Sequence, residues 1–256
     1  MKLSNYWKKR LRRDLPIIAL GGVVAVGTVT RGDDAAPGQA SRAVGAQLAY
    51  LKEIAPPETP TKPFAETALG ANAMSDLDHR FVSNWVATFT GARKNDLETT
   101  LDRMEPYTPM IEKKLAERGM PKELVYLALI ESGGNPKAKS PVGARGLWQF
   151  MAPTAKQYGL SSSERLDPVK ATDAALDYLT DLHERFGSWY LAAAAYNTGQ
   201  GRVSKVLKQV TGKSKGTDED FYKIAARLPK ETRDYVPKLV AVARIANAPE
   251  KYGFTD

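Results

Sequence analysis

Apolar residues between positions 77 and 256 recur at spacings of three and four, which is the pattern of amphipathic helices. Phe81, Trp85 and Phe89 form one such stripe. Residues 189–195 are apolar on every side, which is typical of a helix at the centre of a domain. No segment shows a convincing strand pattern, so the sequence predicts an all-α domain over residues 77–256.

Several helix ends can also be read from the sequence. A stripe through Ile111 and Leu115 indicates one helix. Asp167 is expected to cap the next long helix, because Pro168 directly after it fits the first helical position. A last helix is predicted from about residue 230 to residue 248.

One acidic residue stands at an unusual position. Glu131 closes the apolar run 124–130 and is followed by Gly133, Gly134 and other helix-stop residues. The carboxyl end of a helix dipole is negative and normally favours Lys or Arg. Both the helix end and the apolar surroundings disfavour a charged carboxylate, and this keeps an acid protonated near neutral pH. Glu131 therefore has the profile of a general acid.

Three further stretches, at 140–151, 195–201 and 229–237, interrupt the helical pattern with glycine, amide and aromatic residues. Glycines in the first stretch permit tight backbone turns and close approach of a ligand. Gln149 in the same stretch offers both a donor and an acceptor, which suits sugar hydroxyls and acetamides. Each stretch is a weak signal by itself, since Glu231 in the third also fits an acid favoured at a helix start.

The second stretch has a structural interpretation too. Asn197 or Gly199 would then adopt the left-handed conformation that ends a helix.

Composition excludes several kinds of site. The chain has no Cys, so it can form no disulfide, thiolate metal site or Cys nucleophile. Its two histidines make a histidine-based metal cluster or triad improbable, and His183 is expected on the solvated surface. Composition therefore gives no sign of a thiolate or histidine metal site.

The net charge of +8 is uneven along the chain. Residues 1–34 carry seven basic and three acidic side chains, a net charge of +4, which leaves only +4 for the other 222 residues. No segment combines clustered Lys and Arg with interleaved aromatics, so nucleic acid is not an expected partner.

The amino-terminal residues are typical of a targeting segment. Basic residues up to Arg13 precede the uncharged stretch 15–30, so residues 1–30 are predicted to be a signal peptide or a membrane anchor. Residues 31–76 are rich in Pro and Ala and are predicted to be a linker. This organisation predicts export to the periplasm, with the protein either released there or anchored in the inner membrane by its amino-terminal segment.

Taken in order, four motifs carry a specific resemblance. Glu-Ser-Gly, Gly-Leu-Trp-Gln-Phe-Met, Ala-Tyr-Asn-x-Gly and Glu-Thr-Arg-x-Tyr-Val resemble the lytic murein transglycosylases of the soluble-transglycosylase, goose-lysozyme-like superfamily. The likeness covers about residues 80–254 and is greatest to the membrane-bound D type. D-type members usually carry carboxyl-terminal LysM repeats, which these 256 residues lack. The resemblance implies a lysozyme-like catalytic domain at 119–256 after a helical extension at 77–118.

The resemblance also implies roles for individual residues, with peptidoglycan strands as the substrate. Glu131 would be the sole catalytic acid and base, Tyr196 would face it, and Glu231 would approach the peptide-bearing side of the substrate. Thr154 would lie near the groove. The residues implied to contact the substrate or shape the groove are Ser132, Gln149, Met151, Tyr196, Asn197, Glu231 and Tyr235. The hydroxyl of Ser132 fits a hydrogen bond to the helix end equally well.

The chemistry that the resemblance implies is non-hydrolytic and needs no metal and no organic cofactor. Glycosidases ordinarily use two carboxylates. With Glu131 alone, the N-acetyl group of N-acetylmuramic acid would supply the nucleophile, and the product would be a 1,6-anhydro sugar. Two alternatives stay open: a goose-type muramidase with a second carboxylate, Glu164 or Asp173, and a non-catalytic peptidoglycan-binding protein.

Overall fold

The computed structural model describes residues 74–254, and these residues contain no strand, only two isolated bridges near residue 145. The predicted all-α fold is confirmed. Short 3₁₀ turns occur at Lys122–Leu124, Glu164–Leu166 and Pro249–Tyr252. The α-helices of this range are α1 (Arg80–Thr90), α2 (Lys94–Met104), α3 (Thr108–Glu117), α4 (Val125–Ser132), α5 (Ala152–Gln157), α6 (Pro168–Phe186), α7 (Trp189–Thr198), α8 (Gln200–Thr211), α9 (Asp218–Ala225) and α10 (Lys230–Asn247).

Helix α7 lies at the centre of the fold, as its apolar sequence predicts. Every residue from Trp189 to Ala195 is buried, and α7 packs against α6, α8, α9 and α10. Four consecutive alanines bring the neighbouring helices close to its backbone. The centre of the molecule is therefore rigid where the chain approaches Tyr196 and Asn197.

Helix α10 organises the side of the fold that matters most for the site. It packs against α1, α7 and α4. Its observed bounds agree with the prediction of a last helix from about residue 230 to residue 248. The end of α4 is thereby held against the first turns of α10.

The predicted cap of α6 is present. The side chain of Asp167 accepts hydrogen bonds from the backbone N–H groups of Val169 and Lys170, at 2.9 and 3.1 Å. Since a capping carboxylate satisfies donors that have no partner within the helix, Asp167 is committed to structure.

Residues 74–79 are bound to the helical core by specific contacts. Asp218 accepts from the backbone N–H of Ser75 at 3.3 Å, and the hydroxyl of Tyr190 donates to the Ser75 carbonyl. Arg244 binds Asp76 at 2.7 Å. The segment predicted to end the linker thus packs on the core at its last residues. Within the predicted extension, α1 packs on α10, and α3 packs on α4 and α6.

His183 corrects the expectation of a solvated surface histidine. It is only partly exposed, and its ring stacks on Trp189 with centroids 3.9 Å apart. Desolvation lowers its pKa from the usual 6.5. The polar sequence around His183 does not predict this contact, because Trp189 belongs to the next helix, α7.

The predicted targeting segment and most of the predicted linker lie outside the described residues. Among residues 74–254, no helix is both long and apolar enough to cross a membrane.

Candidate active site

Glu131 lies in the last turn of α4, where it is only 8% exposed. The hydroxyl of Tyr235 on α10 donates a hydrogen bond of 2.6 Å to its Oε1 atom. This contact joins two residues 104 positions apart in the chain. The carboxyl group is therefore buried and oriented by a second buried side chain.

The environment of Glu131 changes its acidity substantially. Burial raises its pKa from the usual 4.5 to about 7, because desolvation penalises the carboxylate form. The Tyr235 hydrogen bond opposes this increase, and the negative charge of Glu231 adds to it. An acid with a pKa near 7 can both donate and accept a proton at neutral pH, which a general acid that later serves as base requires.

The backbone that follows Glu131 turns sharply. Gly133 caps α4 in the left-handed conformation with a φ of 61°, and Gly134 continues with a φ of 75°. A Cβ atom on Gly134 would lie 2.8 Å from the Cβ atom of Arg103 on α2. The two glycines let the chain turn out of α4 close to α2. The helix therefore stops where the sequence predicts.

Arg165 holds the loop 138–151 in a compact conformation through hydrogen bonds to its backbone. Arg165 is 3% exposed, and its guanidinium group donates to the carbonyl groups of Gly143 and Phe150, at 3.0 and 2.9 Å. At Gly146, φ is 82°, and a Cβ atom there would lie 1.7 Å from the Arg165 carbonyl oxygen. Glycine at 146 is therefore required by close backbone contact.

Gln149 occupies a strained position in this loop. Among residues 74–254, Gln149 is the one non-glycine residue whose backbone φ is positive, at 48°. Its Nε2 atom donates to the carbonyl groups of Gly146 and Ala138, at 2.8 and 3.3 Å. These bonds use both amide hydrogens, so the carbonyl oxygen Oε1 is the atom that can accept from a ligand.

Met151 and Thr154 follow Gln149 at the start of α5. Met151 is 37% exposed, which makes it one of the larger apolar side chains open to solvent, and Thr154 is partly exposed. An exposed thioether beside a polar loop is suited to an apolar sugar face.

Tyr196 lies near Glu131 but contacts a different group. Its hydroxyl donates to the Trp148 carbonyl at 2.8 Å. Burial, followed by the negative charge of Glu131, raises the Tyr196 pKa well above its usual value of 10. The phenol that directly binds Glu131 is Tyr235, whereas the sequence interpretation gave the facing position to Tyr196.

Asn197 connects the end of α7 to the start of α10. Its Nδ2 atom donates to Glu231 Oε1 at 3.2 Å, and the Thr232 hydroxyl donates to its Oδ1 atom at 2.7 Å. Gly199 takes the positive φ that ends α7, at 89°, so Asn197 remains helical. The amide fixes the position of Glu231, whose charge acts on Glu131.

Ser132 makes the hydrogen bond of the structural alternative. Its hydroxyl donates to the Ala128 carbonyl at 3.0 Å, and the residue is 1% exposed. While this bond is kept, the hydroxyl can contact a substrate only as an acceptor.

The two carboxylates considered as a second catalytic acid are occupied elsewhere. Glu164 binds Lys170 at 2.5 Å and accepts from the Ser161 N–H, and Asp173 binds Lys114 at 2.7 Å and Arg118 at 3.1 Å. Neither contributes to the electrostatic shift at Glu131, whereas Glu231 does.

Residues 108–218, from the start of α3 to the start of α9, match the family model of the transglycosylase SLT domain. This segment is a transglycosylase SLT domain. It contains Glu131, the loop 138–151 and Asn197, whereas Glu231 and Tyr235 follow it in the chain.

Named relatives of the SLT domain agree with this assignment. The chain is 40% identical over 165 residues to the membrane-bound lytic murein transglycosylase D of Escherichia coli K12, covering 62% of this chain and 36% of the relative. It is 36% identical over 167 residues to the membrane-bound lytic murein transglycosylase F of Vibrio cholerae serotype O1, covering 61% of this chain and 30% of the relative. A putative tributyltin chloride resistance protein of an Alteromonas species is 39% identical over 117 residues, covering 44% of this chain and 56% of the relative.

The chain thus spans about a third of the length of these two lytic murein transglycosylases. The family resemblance inferred from the four motifs is confirmed.

The roles of two residues that organise this site were not predicted from the sequence. Arg165 was not considered, because an arginine in a polar turn gives no sign of burial. Thr232 is part of the fourth motif but was given no role, and its hydroxyl donates to Asn197. Among residues 74–254, no group of three or more histidine, aspartate or glutamate side chains is placed to hold a metal ion.

Proposed function

We propose that the chain is a peptidoglycan lytic transglycosylase that cleaves the bond between N-acetylmuramic acid and N-acetylglucosamine without water. The observation that carries this proposal is the buried Glu131, whose pKa lies at about 7 within a matched transglycosylase SLT domain. The names of the D-type and F-type relatives support the same substrate and reaction.

The first step uses Glu131 as an acid. The protonated carboxyl group donates its proton to the glycosidic oxygen as the bond to C1 of the muramic acid breaks, which releases the other sugar with a free hydroxyl. The N-acetyl carbonyl oxygen of the same muramic acid attacks C1 and forms a cyclic oxazolinium ion. Tyr235 keeps the carboxyl group in position at 2.6 Å throughout.

The second step uses the same residue as a base. The Glu131 carboxylate takes the proton of the C6 hydroxyl, whose oxygen then attacks C1 and displaces the acetamido oxygen. The 1,6-anhydro ring closes, Glu131 is protonated again, and no water is consumed. Because a pKa of about 7 makes both directions of proton transfer accessible, one carboxyl group can perform both steps.

The groove that holds the sugar is proposed to include the loop 138–151 and the junction of α7 with α10. Gln149 would accept from a sugar group through Oε1, and Met151 would contact an apolar sugar face. Asn197 and Glu231 would border the peptide-bearing side, and Tyr196 would close the groove beside Glu131.

A second candidate, a hydrolytic muramidase, is favoured by one observation. Glu231 is a second carboxylate close enough to raise the pKa of Glu131, and a muramidase requires a base to activate water. The hydrogen bond from Asn197 and the position of Glu231 in the first turn of α10 give it a structural role as well.

The location proposed is the periplasmic side of the inner membrane. The basic and apolar residues 1–30 support export, and the relatives are named membrane-bound. Whether the segment is removed or retained as an anchor is answered by the mass of the protein recovered from membranes.

The reaction is tested by weighing the products released from peptidoglycan by the wild-type chain and by Glu131→Gln. We expect wild-type products one water lighter than hydrolysis products and no release by the variant. Glu164→Gln is the matched control, since Glu164 is a partly exposed carboxylate bound to Lys170, and it should keep full activity. Products of full hydrolytic mass would establish the muramidase, and binding without release would establish a non-catalytic protein.

A further inference from the structure

Lys238 lies on α10 next to the candidate site and has no assigned role. Its ammonium group is 4.5 Å from the centroid of the Trp85 ring on α1, which is cation–π geometry. Both residues are partly exposed, so a ligand in solution can reach the pair. The pair forms part of the contact between α1 and α10.

The position of Lys238 on α10 continues the row of site residues. Glu231, Tyr235 and Lys238 are spaced four and then three residues apart, and residues at these spacings share one helix face. Seven residues of helix correspond to about 10 Å along the axis from Glu231 to Lys238. Lys238 is close enough to Glu231 for their charges to interact, and Glu231 in turn acts on Glu131. Lys238 therefore lies near the candidate site, on the side of α10 that contacts Trp85.

The ammonium group lacks a direct counter-ion among residues 74–254. The neighbouring carboxylate of Asp234 binds Lys230 at 2.8 Å, and the neighbouring cation Arg93 binds Asp96 at 3.0 Å. Asp234 and Glu231 attract Lys238 at longer range, whereas Arg93 and Lys230 repel it. Burial is the largest influence and lowers the Lys238 pKa.

A partly desolvated ammonium without a direct partner is costly to maintain, because water is displaced from the charge and no ion replaces it. An anionic ligand that reached Lys238 would supply that partner. The three ammonium hydrogens of Lys238 suit a carboxylate attached to a flexible peptide.

We propose that Lys238, held over Trp85, binds a carboxylate of the peptide stem on the muramic acid. This inference rests on the proposed function for its choice of ligand. Glu231 and Asp234 place negative charge near Lys238, so a stem carrying a carboxylate must align it with the Lys238 ammonium group. The enzyme would thereby distinguish stem-bearing strands from bare glycan.

The test is a binding measurement on the full chain carrying Glu131→Gln, so that the ligand is not consumed. Isothermal titration calorimetry compares two oligosaccharides of equal length, one with peptide stems and one from which the stems have been removed. Adding Lys238→Met is expected to weaken binding of the stem-bearing ligand about tenfold relative to the bare one, since a charge-assisted hydrogen bond is lost. Methionine preserves the apolar contact with Trp85.

Two further proteins keep the result specific. Lys238→Arg retains the positive charge and is expected to keep most of the preference for the stem-bearing ligand. Lys205→Met, at an exposed position on α8, is the matched control and is expected to change neither affinity.

A third ligand, with its stem carboxylates converted to amides, is expected to bind the Lys238 protein as weakly as the bare glycan. Equal affinity for stem-bearing and amidated ligands would overturn the proposal, as would an equal loss of affinity for all ligands in Lys238→Met. The proposed reaction is judged separately by product mass, so a chain that selects stems through Lys238 but releases no anhydro product would retain this inference and lose the other.

Discussion

Replacing Glu131 by glutamine is expected to stabilise the folded protein above neutral pH while abolishing its activity. Folding raises the pKa of Glu131 from 4.5 to about 7, so the native state binds this proton more tightly than the unfolded state does. The contribution of Glu131 to stability is therefore complete below pH 4.5 and is lost as the pH rises to about 7. Glutamine does not ionise and escapes this loss.

The magnitude follows from the pKa change. One pH unit between the two pKa values corresponds to about 1.4 kcal/mol, so the loss from pH 4.5 to above pH 7 is about 3.5 kcal/mol. The free energy of unfolding of the variant, minus that of the wild type, is expected to increase by this amount and then to level off. Glutamine can still accept the Tyr235 hydrogen bond through its carbonyl oxygen.

Urea denaturation of both proteins at fixed ionic strength, from pH 4 to pH 8.5, measures this difference directly. Glu164→Gln is the control, because Lys170 and Ser161 lower the Glu164 pKa to about 2, and that group stays ionised from pH 5.5 to pH 8.5 in both states. A difference between wild type and Glu131→Gln that does not change with pH would refute the reasoning.

Three further predictions follow from the same contacts. The initial rate on peptidoglycan is expected to fall as the pH rises through about 7, because the first step needs protonated Glu131; a rate that stays constant to pH 9 would contradict this. Tyr235→Phe removes a hydrogen bond that lowers the Glu131 pKa, so the alkaline limb of the pH–rate profile should move to higher pH while the maximum rate falls; an unmoved limb would exclude this coupling. Gly146→Ala is expected to reduce the free energy of unfolding by about 3 kcal/mol, because the added methyl group would overlap the backbone of Arg165. Gly159 has a similar φ but open space around it, so Gly159→Ala is expected to cost only about 1 kcal/mol. Equal losses for the two variants in urea denaturation would show that the overlap at Gly146 is relieved.

The parts of the site that depend on residues close together in the chain could be predicted from the sequence. The end of α4 was predictable because apolar residues, an acid and two glycines follow one another within a few positions. The cap at Asp167 was predictable for the same reason. In both cases the physical cause and its effect lie within one helical turn.

Features that depend on distant residues were not predictable. Tyr235 was recognised as a groove residue, but its bond to Glu131 joins helices that the sequence cannot place together. Arg165 gave no sign of burial, since its partners are carbonyl groups of a loop some 20 residues away. His183 was expected in solvent because its own helix is polar there, and the ring it stacks on belongs to α7.

The late position of Tyr235 has a consequence for the order in which this protein becomes competent. During synthesis, Glu131 leaves the ribosome 104 residues before the phenol that orients it. A nascent or truncated chain that ends before α10 contains the matched transglycosylase segment but lacks Tyr235, Glu231 and Lys238. Docking of α10 thus acts as a completion step, so that the proposed activity would arise only after residues 230–247 have been synthesised and have packed against α4.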